Sequence, residues 1–408
     1  MLNHPSFGYC TNVHAGVDLD SAKANLLEHS AEVRRQLRWE SSLPVGLWLA
    51  ENAARTLAAE GAGEEFGSWL DEHLFLPYTL NGFPQGDFHQ KVVKLDVYSP
   101  TWKEQRRRDY TVNLIDVLHA ILPSGKAGSI STLPLGWPEP QWSNDDFVQA
   151  AENVRFVARY LHDLLDREGR EIVVAIEPEP GCILNTAPEI VDFFEAHLFG
   201  HEDESAVRRH ISVCHDVCHS GVMFEPQVQA LERYRAAGIR IGKVQVSSAV
   251  HVPWDKVTEQ KDRLSVLEQL KEFNEPKYMH QTTRSESREG RLVLSELASD
   301  LPDALTRWLP ERPTGSDWPT SPWRVHFHVP IFVDTFGALK TTQNDITQVA
   351  QHLAAHRETM LDSYPWFLGH YEVETYAWPV LPPELSVERL ADGIAKELDY
   401  FARLLSVN

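Results

Sequence analysis

Short apolar runs alternate with longer segments of helical periodicity along most of this chain, and that alternation constrains its fold more than any other feature. Nine runs have the length and composition of β-strands: 7–14, 45–50, 76–82, 129–135, 172–178, 211–217, 241–247, 325–332 and 370–376. Strands that alternate with helices are typical of parallel βα units, and eight such units close into a barrel. We therefore predict a (β/α)8 barrel, with one strand more than it needs.

Amphipathic helices are predicted between these runs. Residues 147–165 carry their apolar side chains on one helical face, and either Ser143 or Asn144 can cap the first turn. Residues 21–37 and 385–405 show similar patterns. The last of these follows the final strand, so we expect it to pack outside the barrel.

The alternation is interrupted between about residues 251 and 323. This stretch contains a possible hairpin, 277–283 with 291–297, that turns at Glu289 and Gly290, and a Pro/Thr/Ser-rich loop at 310–322. The 408 residues fit a single barrel domain, 1–408, with this insertion over its mouth.

The charge balance argues against a nucleic-acid partner. The chain has 59 acidic and 38 basic residues and a formal net charge of −21, so its surface repels phosphate backbones. The only dense basic run is Arg106 to Arg108, whose simplest interpretation is a solvated helix face. A small-molecule partner is therefore expected, and the sequence gives no indication of the oligomeric state.

Cysteine usage and hydropathy indicate a cytoplasmic protein. No basic segment followed by an apolar run comes after Met1 and Leu2, so no signal peptide is predicted. No apolar stretch approaches the ~18 residues of a membrane span. The cysteines are too few and too scattered for a disulfide framework: Cys10, Cys182, Cys214 and Cys218.

Carboxylates follow three of the predicted strands. Glu177 and Glu179 end the fifth run, Asp216 and His219 end the sixth, and Glu374 lies near the end of the last. Strand ends of a barrel meet at one face, and carboxylates with imidazoles suit a divalent ion. The alternatives are exposed acids at strand ends or a zinc site built from two of the cysteines, Cys214 and Cys218.

Two further strands carry inward polar residues. Lys243 and Gln245 alternate with apolar residues in run 241–247, which fits either an active-site lysine or an inward polar layer. His326 and His328 share one face of run 325–332. Whether buried histidines bind a metal or are satisfied within the core is open, but two on one face favour ligands. We predict that at least one of them lies with Glu177 and Asp216.

The order of these motifs resembles the xylose-isomerase-like sugar isomerases and epimerases. The resemblance implies a metal ion held by Glu177, Asp216 and Glu374, with His219 on the substrate side. It also implies a histidine on the seventh strand, but Gln245 stands there. Either Gln245 is a weak oxygen ligand, or His326 or His328 replaces the missing histidine.

A closer resemblance is to the EboE family of metabolite traffic proteins. It rests on motifs spread over nearly the whole chain, at residues 9–14, 79–84, 97–102, 214–219, 326–330 and 372–378. The resemblance implies a barrel encoded in bacterial gene clusters for the export or maturation of secondary metabolites, and it implies no particular reaction.

We therefore expect a metal-dependent isomerase, epimerase or lyase for a small polyhydroxylated or carbonyl metabolite. The divalent ion is Zn²⁺, Mn²⁺, Mg²⁺ or Co²⁺, and Glu179, His219 or Glu372 moves the proton. Lys243 is a further candidate at the site. A carrier that binds without turnover and a metal-dependent phosphodiesterase of the barrel endonuclease type are the alternatives.

Overall fold

The computed structural model describes residues 6–407, and these form a closed barrel of eight parallel strands. The barrel strands are β1 (Ser6–Cys10), β2 (Leu43–Trp48), β3 (Phe75–Asn81), β4 (Gly128–Thr132), β5 (Ile172–Ile176), β6 (Ile211–Asp216), β7 (Ile241–Val246) and β16 (His370–Val373). They follow one another in that order, and β16 pairs with β1 to close the barrel. The predicted (β/α)8 fold class is confirmed.

Most of the helices connect the barrel strands and cover their outer side, and the two at Gln260–Lys271 and Leu301–Trp308 belong to the segment inserted between β7 and β16. The helices are α1 (Leu19–Asn25), α2 (Ala31–Leu37), α3 (Glu51–Leu57), α4 (Ala62–Glu72), α5 (Gln105–Ile121), α6 (Asn144–Glu168), α7 (Ala187–Phe193), α8 (Glu204–His210), α9 (Val217–Val222), α10 (Gln227–Ala236), α11 (Gln260–Lys271), α12 (Leu301–Trp308), α13 (Gln343–Ala355) and α14 (Leu390–Val407). A π-helical segment, Leu26–Ser30, joins α1 to α2, and another, Phe194–Leu198, extends α7. Short 3-10 turns lie at Thr11–Val13, Lys94–Tyr98, Trp254–Lys256, Gly315–Asp317 and Trp378–Val380.

The predicted helices are present with shifted ends. Ser143, one of the two predicted caps, begins α6 with a reciprocal capping box to Asp146. The predicted helix 21–37 corresponds to α1, the π-helical segment and α2. The predicted start at residue 385 of the last helix is five residues early, because α14 begins at Leu390.

A second, largely antiparallel sheet is inserted between β7 and β16. Its strands are β8 (Val250–Val252), β9 (Thr282–Arg288), β10 (Arg291–Ala298), β11 (Trp323–Val325), β12 (Thr335–Phe336) and β13 (Leu339–Thr341). A small hairpin, β14 (Met360–Leu361) with β15 (Tyr364–Pro365), follows. The sheet extends beyond the predicted 251–323. The predicted turn between β9 and β10 is present, with Glu289 and Gly290 both at positive φ.

Of the nine predicted strands, 370–376 supplies the eighth barrel strand, and the surplus one, 325–332, folds with the inserted sheet. Only its first residue, Val325, is in a strand, and that strand pairs with β8 and β9 of the inserted sheet. The chain then leaves the strand ladder, and Pro330 has no N–H to donate to a neighbouring strand. Two backbone hydrogen bonds, from His326 to Gln281 and from Val329 to Ser248, hold this segment, which carries His326 and His328 to the mouth of the barrel.

Two clusters of buried apolar side chains hold these layers together. The larger fills the space between the barrel strands and the outer helices. The second contains Trp254 and Phe327 of the inserted segment together with Trp48, Phe88 and Tyr376 from the barrel side. Burial of this shared surface fixes the inserted sheet over the C-terminal ends of the barrel strands.

The basic run on α5 does not form a free cationic surface. Arg106 pairs with Glu51, and Arg108 pairs with Asp109. Arg107 is fully buried and donates to three backbone carbonyl oxygens, so the predicted solvated face does not include it.

No helix within residues 6–407 is both long and apolar enough to cross a bilayer. Met1 and Leu2, on which the absence of a signal peptide was argued, lie outside the described residues.

Candidate metal centre

Three carboxylates converge at the C-terminal end of the barrel. Glu177 directly follows β5, Asp216 ends β6, and Glu374 directly follows β16. One oxygen of each lies within 4.8 Å of the others, and all three side chains are buried. The structure therefore brings together the three residues predicted as metal ligands. Their role as ligands remains a prediction.

Neighbouring donors fix the orientation of two of these carboxylates. Glu374 Oε1 accepts hydrogen bonds from the amides of Asn12 and Asn81, at 2.7 and 2.8 Å. Asp216 Oδ1 accepts from the Ser247 hydroxyl at 2.7 Å and from a backbone N–H at 2.9 Å. Asp216 Oδ2 and Glu177 Oε2 are buried without a hydrogen-bond partner among the described residues. Oriented carboxylates with free, buried oxygens are what a cation site requires.

The electrostatics of the cluster also favour a cation. Burial, and then the other carboxylates, raise the pKa of Glu177 and of Glu374 well above the usual value. Burial also acts to raise the pKa of Asp216, but His219, His328 and hydrogen bonds outweigh it and hold that pKa below the usual value. Three acids so close cannot all be ionised without compensating charge, and a divalent ion supplies it.

His328, on the inserted segment above the barrel, presents a ring nitrogen to these carboxylates. Its Nδ1 lies 2.6 Å from the carbonyl oxygen of Glu374, which can only accept, so Nδ1 carries the proton and Nε2 has the free lone pair. That Nε2 is 3.9 Å from Asp216 Oδ2 and has no hydrogen-bond partner among the described residues. Burial lowers the pKa of His328 to about 4, so the ring is neutral at pH 7. Its geometry is that of a nitrogen ligand.

Gln245 occupies the strand-seven position of the missing histidine. It is fully buried on β7 in register with Asp216, and neither atom of its amide has a hydrogen-bond partner among the described residues. It does not line the cavity described next. Because His328 already presents a nitrogen to the carboxylates, Gln245 is the weaker of the two candidates for the fourth ligand.

A cavity lies directly above the carboxylates. Glu177, Glu374 and His328 line its base. Phe83, Phe88 and Tyr376 from the barrel side form part of its wall, and the inserted segment contributes others, including Tyr278 and Met279. The inserted sheet thus shields the cluster from bulk water and leaves a space for a small molecule.

Glu179, His219 and His326 face the same cavity. The Tyr98 hydroxyl donates to Glu179 Oε1 at 2.5 Å, and the Gln281 amide donates to it at 3.2 Å. Burial raises the pKa of Glu179, although these contacts and His219 partly offset the effect. Both histidines that were predicted as alternatives, His326 and His328, therefore lie with Glu177 at the cavity.

Lys243 and Glu372 were predicted as catalytic candidates, but the structure does not bring them to the cavity. Lys243 Nζ lies 2.7 Å from Glu372 Oε2, and both side chains are 0% exposed. Gly46 lies against the same carboxylate. They form an ion pair inside the barrel, and Glu372 Oε1 has no hydrogen-bond partner among the described residues, so their part in proton transfer stays a prediction.

The sequence predictions missed four polar residues at the centre: Asn12, Asn81, Tyr98 and Gln281. Asn12, Asn81 and Tyr98 lie within motifs 9–14, 79–84 and 97–102 of the EboE resemblance, and Asn12 and Asn81 also lie near the C-terminal ends of predicted strands. Those positions were the available signal for these three.

A zinc site made from Cys214 and Cys218 is not supported. All four cysteines are buried free thiols, and among the described residues no metal-sized group contains Cys214. Cys218 does lie near His326 and His328.

No family model matches the sequence, and no curated protein sequence matches it. Solved structures of xylose-isomerase-like barrels are similar to it in fold. A xylose isomerase-like TIM barrel protein from Mycobacterium smegmatis in complex with magnesium has 12% identity and a TM-score of 0.49, covering 99% of this chain and 97% of its own. A D-allulose 3-epimerase from Methylomonas sp. has 10% identity and a TM-score of 0.49, with 98% of each chain covered. A zinc-containing IOLI protein has 10% identity and a TM-score of 0.46, also covering 98% of each. None of these values assigns a reaction to this chain.

Proposed function

We propose that this protein is a metal-dependent enzyme of the isomerase or epimerase type that acts on a small polyhydroxylated or carbonyl metabolite. The observation that carries the proposal is the buried group of Glu177, Asp216 and Glu374, with His328 Nε2 3.9 Å from Asp216, beneath a cavity that opens to the surface. A protein that needed only to hold a metabolite would not require unpaired carboxylates and an imidazole beneath it.

The ligands are mostly hard oxygen donors with one nitrogen. This set accommodates Mg²⁺ and Mn²⁺ as well as Co²⁺ and Zn²⁺. When bound, such an ion polarises a carbonyl group and its neighbouring hydroxyl. Asn12 and Asn81 keep Glu374 oriented, and Ser247 keeps Asp216 oriented.

Glu179 and His219 are the groups we assign to proton transfer. Both line the cavity, and neither belongs to the proposed ligand set. Tyr98 and Gln281 hold Glu179 Oε1, so Oε2 is the oxygen that receives or returns a proton. A carboxyl group whose pKa is raised by burial is better matched to proton transfer near pH 7 than an ordinary glutamate.

Endonuclease-type activity has no comparable support. The net charge is −21, and the arginines of the basic run on α5 pair with carboxylates or donate to backbone carbonyl groups.

The resemblance to the EboE family supplies the proposed setting, which is the cytoplasmic traffic of a secondary metabolite.

Metal content is the first test. After chelation and reconstitution with Mn²⁺, the wild type should retain the ion, and Asp216→Asn and His328→Ala should bind it at least ~10-fold more weakly. Glu225→Gln is the matched control, since Glu225 is a half-buried carboxyl group with its pKa raised to about 7 by desolvation, and it lies outside the cluster. Equal retention by wild type and Asp216→Asn, both folded by circular dichroism, would refute the site.

Turnover is the second test. Ketoses, aldoses and 2-keto acids are incubated with the reconstituted protein in D2O and followed by proton NMR. We expect an isomerised or epimerised product from at least one of them, and none with Asp216→Asn. Saturable binding of a compound without any conversion across the panel would show a carrier instead.

A further inference from the structure

Three side chains on the cavity side of the centre form a second group of possible metal ligands. Glu179, His219 and His326 each offer one atom within 4.8 Å of the others, and all three are buried. The Nε2 atoms of the two histidines are 3.1 Å apart. This group adjoins the first one, because His219 Nε2 also lies 3.7 Å from Asp216 Oδ2, whereas Glu179 and His326 share no such group with Glu177, Asp216 or Glu374 among the described residues.

The hydrogen bond at Nδ1 fixes the tautomer of both His219 and His326. His219 Nδ1 lies 2.8 Å from the carbonyl oxygen of Pro178, which can only accept, so this nitrogen donates. His326 Nδ1 lies 2.7 Å from Gln281 Oε1. The Gln281 amide is oriented by its Nε2, which donates to Tyr98 and Glu179, so its oxygen accepts from His326. In neutral rings, both Nε2 atoms therefore carry lone pairs.

Two nitrogen lone pairs that face each other at 3.1 Å repel, unless something positive lies between them. Two imidazole ligands on one tetrahedral Zn²⁺, with Zn–N near 2.0–2.1 Å, place their nitrogens about 3.3 Å apart. The observed separation is close to that value, and Glu179 supplies a third ligand of the kind found in His2Glu zinc sites. We propose that Glu179, His219 and His326 form a second cation site, selective for Zn²⁺ and similar borderline ions.

This inference rests on the proposed function and adds metal regulation to it. The first site has mainly carboxylate ligands and accepts hard ions, whereas the second has two nitrogens and favours Zn²⁺ or Co²⁺ over Mg²⁺ or Mn²⁺. An imidazole nitrogen or carboxylate bound to an ion is not free to move a proton. Occupation of the second site therefore inhibits the enzyme that the first ion activates.

A rival zinc site on the surface must be removed before ions are counted. Glu232 on α10 lies near His352 and His356 on α13, and the His352 Nε2 atom is 2.8 Å from the Glu232 carboxylate. All measurements therefore use a protein with the substitution His352→Asn as the reference.

The reference protein is loaded with Mn²⁺ and titrated with Co²⁺ and, separately, with Zn²⁺. We expect an additional bound ion by elemental analysis, the intense visible absorption of tetrahedral Co²⁺, and a loss of turnover that a weak chelator reverses. His326→Gln should retain Mn²⁺ and lose the Co²⁺ absorption and the inhibition. Gln281→Leu supplies and removes no ligand atom, but it deletes the hydrogen bonds that orient Glu179 and fix the tautomer of His326, so it should weaken binding of the second ion by ~10–100-fold.

The outcomes separate this proposal from the one before it. Mn²⁺ binding and turnover without an additional ion, absorption or inhibition would overturn the second site and leave the proposed function standing. If His326→Gln and Gln281→Leu both bind the additional ion as tightly as the reference protein, the ion lies at another site and the inference is overturned. Failure to bind Mn²⁺ at all would instead refute the proposed function.

Discussion

The buried pair of Lys243 and Glu372 offers a quantitative test of the barrel interior. Substitution Lys243→Met removes the ammonium group that lies 2.7 Å from the Glu372 carboxylate, whose side chain is 0% exposed. An uncompensated carboxyl group in such a place takes up a proton. At pH 7 this costs about 1.4 kcal/mol for each pH unit above the ordinary glutamate value of ~4.3, or about 3.7 kcal/mol. Breaking a buried pair typically costs ~3–5 kcal/mol, in agreement with this figure.

The pH dependence distinguishes this mechanism from lost packing. A carboxyl group that stays protonated in the folded variant stabilises it below pH ~4.3 and ceases to do so as the pH rises. The deficit of Lys243→Met relative to wild type should therefore shrink from about 3.7 kcal/mol at pH 7 to about 1 kcal/mol at pH 5. The double variant Lys243→Met/Glu372→Gln removes the titrating group, so its deficit should be the same at both pH values.

Urea unfolding of the metal-free proteins, followed by tryptophan fluorescence, measures these differences at both pH values. A loss below ~1 kcal/mol for Lys243→Met at pH 7 would show that the pair is accessible to water and contributes like a surface ion pair. A loss that is equal at pH 7 and pH 5 would show that packing, and not charge, is responsible.

Three further predictions concern stability. Gly46→Ala places a methyl group 1.4 Å from Glu372 Oε1, so it should lower the urea midpoint severely, whereas Gly86→Ala, with no atom within 4 Å, should leave it nearly unchanged. His370 is buried with its pKa lowered to about 3, so it stays neutral when the unfolded chain takes up a proton near pH ~6.5. Stability should therefore fall by up to about 1.4 kcal/mol per pH unit as the pH drops below ~6.5, and His370→Asn should flatten that slope in urea melts. Ser143→Ala removes the cap of α6 and should cost about 1 kcal/mol, and equal unfolding midpoints would contradict it.

The barrel and its three carboxylates could be predicted from the sequence because both depend on local patterns. An apolar strand that ends abruptly in an acid, as Ile172–Ile176 does before Glu177, indicates the strand and the position of the acid at its C-terminal end. The nearness of His326 or His328 was also predicted, from two histidines on one face. Which of them faces the carboxylates depends on the path of a segment outside the strand ladder, and no periodicity encodes that path.

Lys243 and Glu372 show what a strand pattern leaves undetermined. Alternation along a strand correctly indicates that Lys243 and Glu372 point inward, but it does not give their height along the barrel axis. That height depends on the stagger between neighbouring strands, and it puts this pair below the cavity. Gln281 and Tyr98 were missed for a different reason: both are far in sequence from Glu179, their partner, and motif 97–102 does not show which residue Tyr98 contacts.

The ligands of the proposed first site come from two separately packed parts of the molecule. Glu177, Asp216 and Glu374 belong to the barrel, whereas His328 belongs to the segment that packs with the inserted sheet. An ion bound to all four therefore links the barrel to the inserted segment, and its binding free energy stabilises the contact between them. Each tenfold gain in affinity adds about 1.4 kcal/mol to that stabilisation. Removal of the metal should therefore loosen the inserted sheet over the cavity before it unfolds the barrel. Ion binding and entry of the metabolite into the cavity are then thermodynamically linked.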